Sequence, residues 1–484
     1  MNSFKVAKVV PIFKGGRKTD IGQYRPISLV SNIGKVLEKI VKKRIVKFLE
    51  KTNFFFKNQF GFRKGRSTEQ ATALLANLIT KSMDENKYAH GIFCDMSKAF
   101  DCIEIPILIE KLRYYGIRGI PLDWVTDYLT GRSQKVQLGN TLSQTTCYLN
   151  HGTAQGSILG PLFFLIYIND LPNSLDQSDS ILFADDTTLV AIHENYDSLI
   201  AIGNQELDNL HDWLCANKLL LNSNKTKAIV FRTSRRHLRG PLNVLNLQGN
   251  HIEMVDNHIF LGVNFHKNLS WSNQMLRVKS KLQANVGIVS KIRYQITPHI
   301  VTNLFQAMVQ SHLRYCNVTW CYGNFTLRTS LQAQSNKFLR AGFHLHWRSC
   351  VKYLRDIYSL PSLDELSFQL LANTMQKIIL GIYPDQFLTF FTRTHHRYLT
   401  SSSLASPFTP TFHRFETTKQ SLSHRAYKTW LAVPNGIKYK PNSISGNGNA
   451  TIRNEISPVF NSINKFSQLL RDHLKQSLFI SPLF

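Results

Sequence analysis

Three aspartates form the pattern in this sequence that could do chemistry. Asp95 ends the run YAHGIFCDM, and Asp185 and Asp186 sit side by side in SILFADDTTLVAI. Carboxylates are hard oxygen ligands of the kind Mg2+ prefers. Two such ions held about 4 Å apart can activate a hydroxyl and stabilise a leaving pyrophosphate in nucleotidyl transfer. The three aspartates could serve this only if their segments were neighbours. An Asp pair in a turn is also ordinary backbone chemistry, because Asp bonds its own main chain. The apolar neighbours Ile181, Leu182, Phe183, Leu189 and Val190 argue for a packed hairpin rather than a free turn.

The elements that must position these residues are partly readable from periodicity. Tyr88 to Met96 reads as a strand ending at an acid. Ser180 to Ile192 reads as a β-hairpin with both carboxylates at its tip, although so short a run also admits a helix. Helical stretches are expected at Ile105 to Tyr115 and Leu159 to Leu171. Gly34 to Lys51 places Leu37, Ile40, Val41, Ile45, Phe48 and Leu49 on one face, with Lys39, Lys42, Lys43 and Lys47 elsewhere. Alone, this pattern would equally suit a membrane-surface or calmodulin-target helix. Ser67 with Thr68 is placed to cap the run TEQATALLANLITKSMDE. Beyond Gly262 helices are expected around 273–294, 298–315 and 327–343, and Lys438 to Ala450 is the best linker candidate.

Composition narrows the partner. The chain has 484 residues, with 58 Lys and Arg against 31 Asp and Glu, a formal net charge of +27. Residues 1–90 hold 19 basic and 6 acidic side chains, and the window Asn257 to Arg355 holds 13 basic side chains and no acid. Such concentration favours a nucleic-acid partner. Seven cysteines without repeated spacing argue against a disulfide framework. Cys316 and Cys321 near His312 could suggest zinc, but no second cysteine pair at zinc-ribbon or knuckle spacing accompanies them, and buried apolar cysteine is the default. No signal peptide is evident, and the longest apolar run, Ile158 to Ile168, is too short to cross a bilayer. An intracellular protein without a membrane partner is expected, and charge does not decide whether it is nuclear.

Eight ordered blocks carry a family resemblance: VVPIFKGG, YRPISLVSNIGKVLEKIV, NQFGFRKGRSTEQA, CDMSKAFD, GTAQGSILGPLFFLIYINDL, FADDT, LNSNKTKAIVF and FLGVNF. In this order the chain resembles the reverse transcriptases of non-LTR retrotransposons, which are related to group II intron enzymes. The resemblance implies an α+β right-hand polymerase fold. Residues 1–90 would form the amino-terminal part of the fingers, 91–265 an antiparallel-sheet palm with an interleaved fingers segment, and 266–345 a helical thumb. Residues 346–484 would form a carboxy-terminal region of unknown role.

The same resemblance implies that Asp95, Asp185 and Asp186 are the catalytic, metal-binding carboxylates, holding two Mg2+ ions with Mn2+ as a substitute. Asp101 would be structural. Phe100 would lie under the incoming sugar, and Gln155 and Gly156 would touch the nucleotide and template. Arg63, Lys64 and Arg66 would approach the triphosphate, as a fork-shaped guanidinium suits phosphate oxygens. Lys225 would stand near the leaving pyrophosphate, and Phe260, Leu261 and Gly262 would belong to the primer grip. Ala154 stands where the family usually has proline. The implied partners are an RNA template, a DNA primer and deoxynucleoside triphosphates, with an endonuclease supplied in trans. The chain is thus expected to be an RNA-directed DNA polymerase and a fragment of a larger element. The competing expectation is an inactive RNA-binding remnant or host-adopted protein, while Phe100 disfavours an RNA-dependent RNA polymerase.

Overall fold

The computed structural model describes residues 5–96, 99–236, 245–247, 249–393, 408–410, 421–433 and 468–470. The linker expected at 438–450 lies outside the described residues. The fold is mixed α/β, and the chain divides into two compact units. The first comprises Met1–Lys64, His90–Ala228 and Leu238–Val255; the second comprises Gly65–Ala89, Ile229–His237 and Asp256–Phe484.

One sheet joins β1 (Val6–Phe13), β2 (Tyr24–Leu29), β4 (Arg132–Leu138), β5 (Thr141–Leu142) and β6 (Cys147–Leu149). In it β1 runs antiparallel to β2 and parallel to β4. A second, six-stranded sheet has the order β10-β11-β9-β3-β8-β7. Its strands are β3 (Tyr88–Cys94), β7 (Asp179–Phe183), β8 (Asp186–His193), β9 (Lys227–Phe231), β10 (Leu245–Leu247) and β11 (Asn250–Met254). The sequence reading expected an antiparallel sheet here; β7 and β8 pair in that way, as do β10 and β11, whereas β11 departs from it by running parallel to β9. The connection from Phe231 to Asn250 is long enough for such a return.

The expected hairpin is present, with Phe183 paired to Asp186 across a two-residue turn. Residues 58–60 continue the sheet beyond β7. There Leu182 N–H donates to Asn58 C=O (3.0 Å), Phe60 N–H to Leu182 C=O (2.8 Å), and the Asn58 amide to Ser180 C=O (2.9 Å).

Behind this sheet lie α1 (Asn32–Lys51), α3 (Ile105–Tyr114), α4 (Ile120–Leu129), α5 (Gly160–Ile168) and α6 (Tyr196–Ala216). The second unit contains α2 (Thr68–Asp84), capped by Ser67 and Gln70 in a reciprocal box as the sequence suggests. In α5, Leu162 to Ile168 are all buried, as expected of a helix apolar on every side.

α1 departs from its expected face. Ile45 and Leu49 are buried, but Leu37, Ile40 and Phe48 are 39–49% exposed, while Gly34 and Glu38 turn inward. Glu38 can be buried because its carboxylate accepts the Tyr128 hydroxyl (2.8 Å) and the Ile158 amide (2.5 Å). The buried stripe of α1 is therefore centred on an acid that hydrophobic periodicity assigns to solvent.

His90 of β3 is fully buried, and among the described residues neither ring nitrogen has a hydrogen-bond partner. α6 packs directly on it; a Cβ on Gly203 would lie 2.9 Å from His90 Nδ1. Burial pushes the imidazole down to about 4. Unfolding releases it to its ordinary value near 6.5, so acid favours the unfolded chain. The contribution of His90 should be constant above about pH 6.5 and should fall as pH drops toward 4, by up to about 3 kcal/mol. Chemical denaturation of His90→Leu should show a flatter pH dependence across this window; an unchanged profile would assign the acid lability elsewhere.

Candidate active site

Asp95 directly follows β3, whose seven residues are all buried. The loop before β9 clasps it: Asn222 N–H donates to Asp95 C=O (2.8 Å), and Asp95 N–H reaches the Thr226 hydroxyl (3.4 Å). That loop also brings Lys225 Nζ to 3.7 Å from Asp95 Oδ2. Asp185 occupies the β7–β8 turn, and Asp186 opens β8, the strand beside β3.

The turn is tightly specified. Ala184 adopts φ 57°, and its N–H donates to Gln59 Oε1 (3.1 Å), which also accepts the Gly61 N–H (2.8 Å). A Cβ on Gly61 would fall 2.4 Å from Ala184 N, so only glycine fits there.

The sheet order thus brings the three aspartates into one electrostatic neighbourhood. Burial raises the Asp185 carboxyl above its ordinary value, and Asp95 raises it further. Asp186 keeps solvent contact yet is pushed up to about 6, first by burial, then by Asp185 and Asp95. Such repulsion favours a shared proton or a cation. Among the described residues no three His, Cys, Asp or Glu side chains already enclose a cation site.

A second group lies on the segment leaving Asp95. Phe100 is half-buried, its ring 4.5 Å from that of Phe164 and 6.2 Å from that of Phe62 between centroids. Gln155 Nε2 donates to both oxygens of Asp101, at 2.7 and 2.9 Å. Gly156 has φ 124°, and a Cβ there would lie 2.6 Å from Ser28 C=O. Ala154 does not leave this loop loose: Thr153 N–H bonds Phe100 C=O, Ser28 N–H bonds Gln155 C=O, and Ile158 N–H bonds Glu38.

The expected phosphate-facing cations differ in their surroundings. The Arg63 guanidinium donates to Phe56 C=O (2.9 Å) and lies 4.9 Å from the centre of the Phe55 ring, while Lys64 is exposed. Arg66 belongs to the second unit.

In that unit β12 (Asn257–Phe260) and β13 (Val263–His266) form the hairpin expected around Phe260, Leu261 and Gly262. Leu261 and Gly262 take φ 45° and 78° at its turn. The Tyr315 hydroxyl donates to Leu261 C=O (2.8 Å), and Arg277 to Gly262 C=O (3.0 Å). Sequence reasoning missed both supports, which lie 54 and 15 residues from their acceptors. Cys316 and Cys321 are buried, with sulfurs near the Thr68 and Ser367 hydroxyls respectively. The acid-free window also contains two interior cations. Arg328 pairs with Asp364, and Arg355 bonds Pro361 C=O, Ser335 and Asn336. Among the described residues no helix is long and apolar enough to cross a membrane.

The family model described as Reverse transcriptase (RNA-dependent DNA polymerase) matches residues 16–265, more than half the chain, and this chain belongs to that family. It is 24% identical to the RNA-directed DNA polymerase from mobile element jockey of Drosophila melanogaster, over 65% of this chain and 35% of that protein. It is 27% identical to the Retrovirus-related Pol polyprotein from type-1 retrotransposable element R1 of Bradysia coprophila, over 60% of this chain and 28% of that protein. Its relatives are thus reverse transcriptases of the non-LTR retrotransposon type. The chain spans about a third of the length of the curated relatives it matches. Among solved structures, apo telomerase from Candida tropicalis is similar with TM-score 0.40 and 11% identity, over 70% of this chain and 57% of that one.

Proposed function

We propose that this chain extends a DNA primer on an RNA template with deoxynucleoside triphosphates. The observation that carries the proposal is the shared electrostatic neighbourhood of Asp95, Asp185 and Asp186 in a member of this family. In this reading residues 1–90 act as fingers, 91–265 as palm and 266–345 as thumb of a right-hand polymerase, with residues 346–484 unassigned.

Oxygen donors that repel one another suit Mg2+ or Mn2+, so Asp95, Asp185 and Asp186 would hold the family's divalent cations. When bound, such ions supply Lewis-acid stabilisation to the primer hydroxyl and the departing pyrophosphate. The chain's own residues do the rest. Lys225, beside Asp95, offers an ammonium to the charge that develops as the bond between the α- and β-phosphates breaks. Phe100, backed by Phe164, presents a rigid ring edge to the sugar. Phe260, Leu261 and Gly262, braced by Tyr315 and Arg277, hold the primer end. Primer extension on a homopolymer RNA with purified protein tests the proposal. Salt-sensitive RNA binding without extension would favour a binding-only protein.

The basic second unit would grip the template-primer duplex. Lys281 and Lys291 are exposed on α7 (Ser272–Ile292). Plotted as log affinity against log salt, duplex binding should fall steeply, and Lys281→Glu or Lys291→Glu should each flatten the slope by about 1 through loss of a phosphate contact. A slope unchanged in both variants would place the duplex on another surface.

A further inference from the structure

We propose that Asp101 is a positioning residue for nucleotide binding, acting by fixing which end of the Gln155 amide faces the substrate. The proposal rests on reading Gln155 as a contact to the incoming nucleotide. A glutamine amide has a donor end and an acceptor end of nearly the same shape, and an unrestrained side chain can present either. An ionised carboxylate only accepts, so it settles the choice. With Nε2 at 2.7 and 2.9 Å from the two Asp101 oxygens, the NH2 group is turned toward Asp101. Rotating the amide by half a turn would set Oε1 against the carboxylate, acceptor facing acceptor. Gln155 Oε1 is therefore held as a hydrogen-bond acceptor on the side away from Asp101, matched to a donor such as a sugar hydroxyl.

The backbone makes the pairing rigid. Gly152 N–H donates to Ile103 C=O (2.7 Å), and Thr153 N–H to Phe100 C=O (3.1 Å), so the glutamine loop is bonded to the strand exit on both sides of Asp101. A Cβ on Gly152 would lie 2.7 Å from Asp101 C=O, so the loop sits against the main chain of Asp101 itself. On the far side Ser28 N–H holds Gln155 C=O at 2.7 Å. Asp101 and Phe100 are adjacent in sequence. One short segment thus carries the ring beneath the sugar and the carboxylate that aims the amide.

The test is single-nucleotide insertion by the full chain on poly(rA) primed with oligo(dT), with dTTP varied. Asp101→Ala should raise KM for dTTP on the order of tenfold, the scale of a lost hydrogen bond to a charged group, with kcat within about threefold. Asp101→Asn, which keeps one acceptor, should fall between Asp101→Ala and wild type, and it decides the matter if Asp101→Ala does not fold. On a Gln155→Ala background, Asp101→Ala should add less than about twofold, because no amide remains to be aimed. Fully multiplicative effects, or a fall in kcat with KM unchanged, would overturn the inference. If Gln155→Ala raises KM while both Asp101 variants leave it unchanged, the inference fails alone. If Gln155→Ala leaves KM unchanged, the nucleotide-contact reading fails and the inference with it.

Discussion

Asp186→Asn should reduce nucleotide incorporation on the order of a thousandfold or more while leaving the protein as stable as the wild type, or more so. The two expectations have one origin. Asp186 is held close to Asp185 and Asp95 in partly desolvated surroundings, where its ionised form is disfavoured enough to bring its pKa to about 6. Replacing a carboxylate by an isosteric amide relieves that repulsion, and active-site repulsion of this kind commonly costs the native state stability. In the proposed mechanism, removing the charge would also remove a cation ligand and part of the field acting on developing charge in the transition state. Single electrostatic contributions of that sort are worth about 100- to 1000-fold, and loss of a cation ligand adds to it. Thermal melting and primer extension on the same preparation would separate the effects. Extension at near wild-type rate would dismiss the carboxylates as turn residues, and a lost melting transition would mean that Asp186 supports the fold.

Phe100→Ala should let ribonucleotides be incorporated far more readily, with deoxynucleotide addition largely intact. In the proposed reading the Phe100 ring lies beneath the sugar, and its packing against Phe164, fully buried on α5, with the exposed Phe62 on another side, limits how far it can turn aside from a 2′ hydroxyl. Displacements of about an ångström at a reacting centre can change rates on the order of 100-fold, and that is the scale expected for the shift in the ratio of rNTP to dNTP efficiency. The truncation leaves a space beside Phe164 and should lower stability by about 3 kcal/mol or less, since the ring is only half-buried. An unchanged ratio in single-nucleotide kinetics would make Phe100 core packing and reopen the RNA-polymerase alternative.

The sequence exposed those features that depend on neighbours along the chain. The Asp185–Asp186 hairpin, the Ser67 cap and the helices near 105–115 and 273–294 follow from local periodicity and turn chemistry, and they appear within a few residues of expectation. What was hidden depends on partners far away in sequence. Glu38 is inward because Tyr128 and Ile158, 90 and 120 residues later, satisfy its carboxylate. Asp101 and Gln155 are 54 residues apart. Arg328 and Arg355 count as surface charge in a census, yet each has partners that take it inside. The parallel entry of β11 is likewise invisible to periodicity, because its residues alternate the same way in either direction.

The segment NQFGF bears on how the protein behaves in company. An apolar strand at the rim of a sheet offers a row of open amides and carbonyls onto which another chain can add. In β7, the strand carrying the turn with Asp185, Leu182 gives its N–H to Asn58 and takes one from Phe60, while Ser180 C=O is taken by the Asn58 side chain. At these positions the rim is bonded from within the same polypeptide. A second copy of the chain adding as a strand would find Leu182 and the Ser180 carbonyl already engaged, so the turn beside them can face a nucleic acid with these edge groups satisfied.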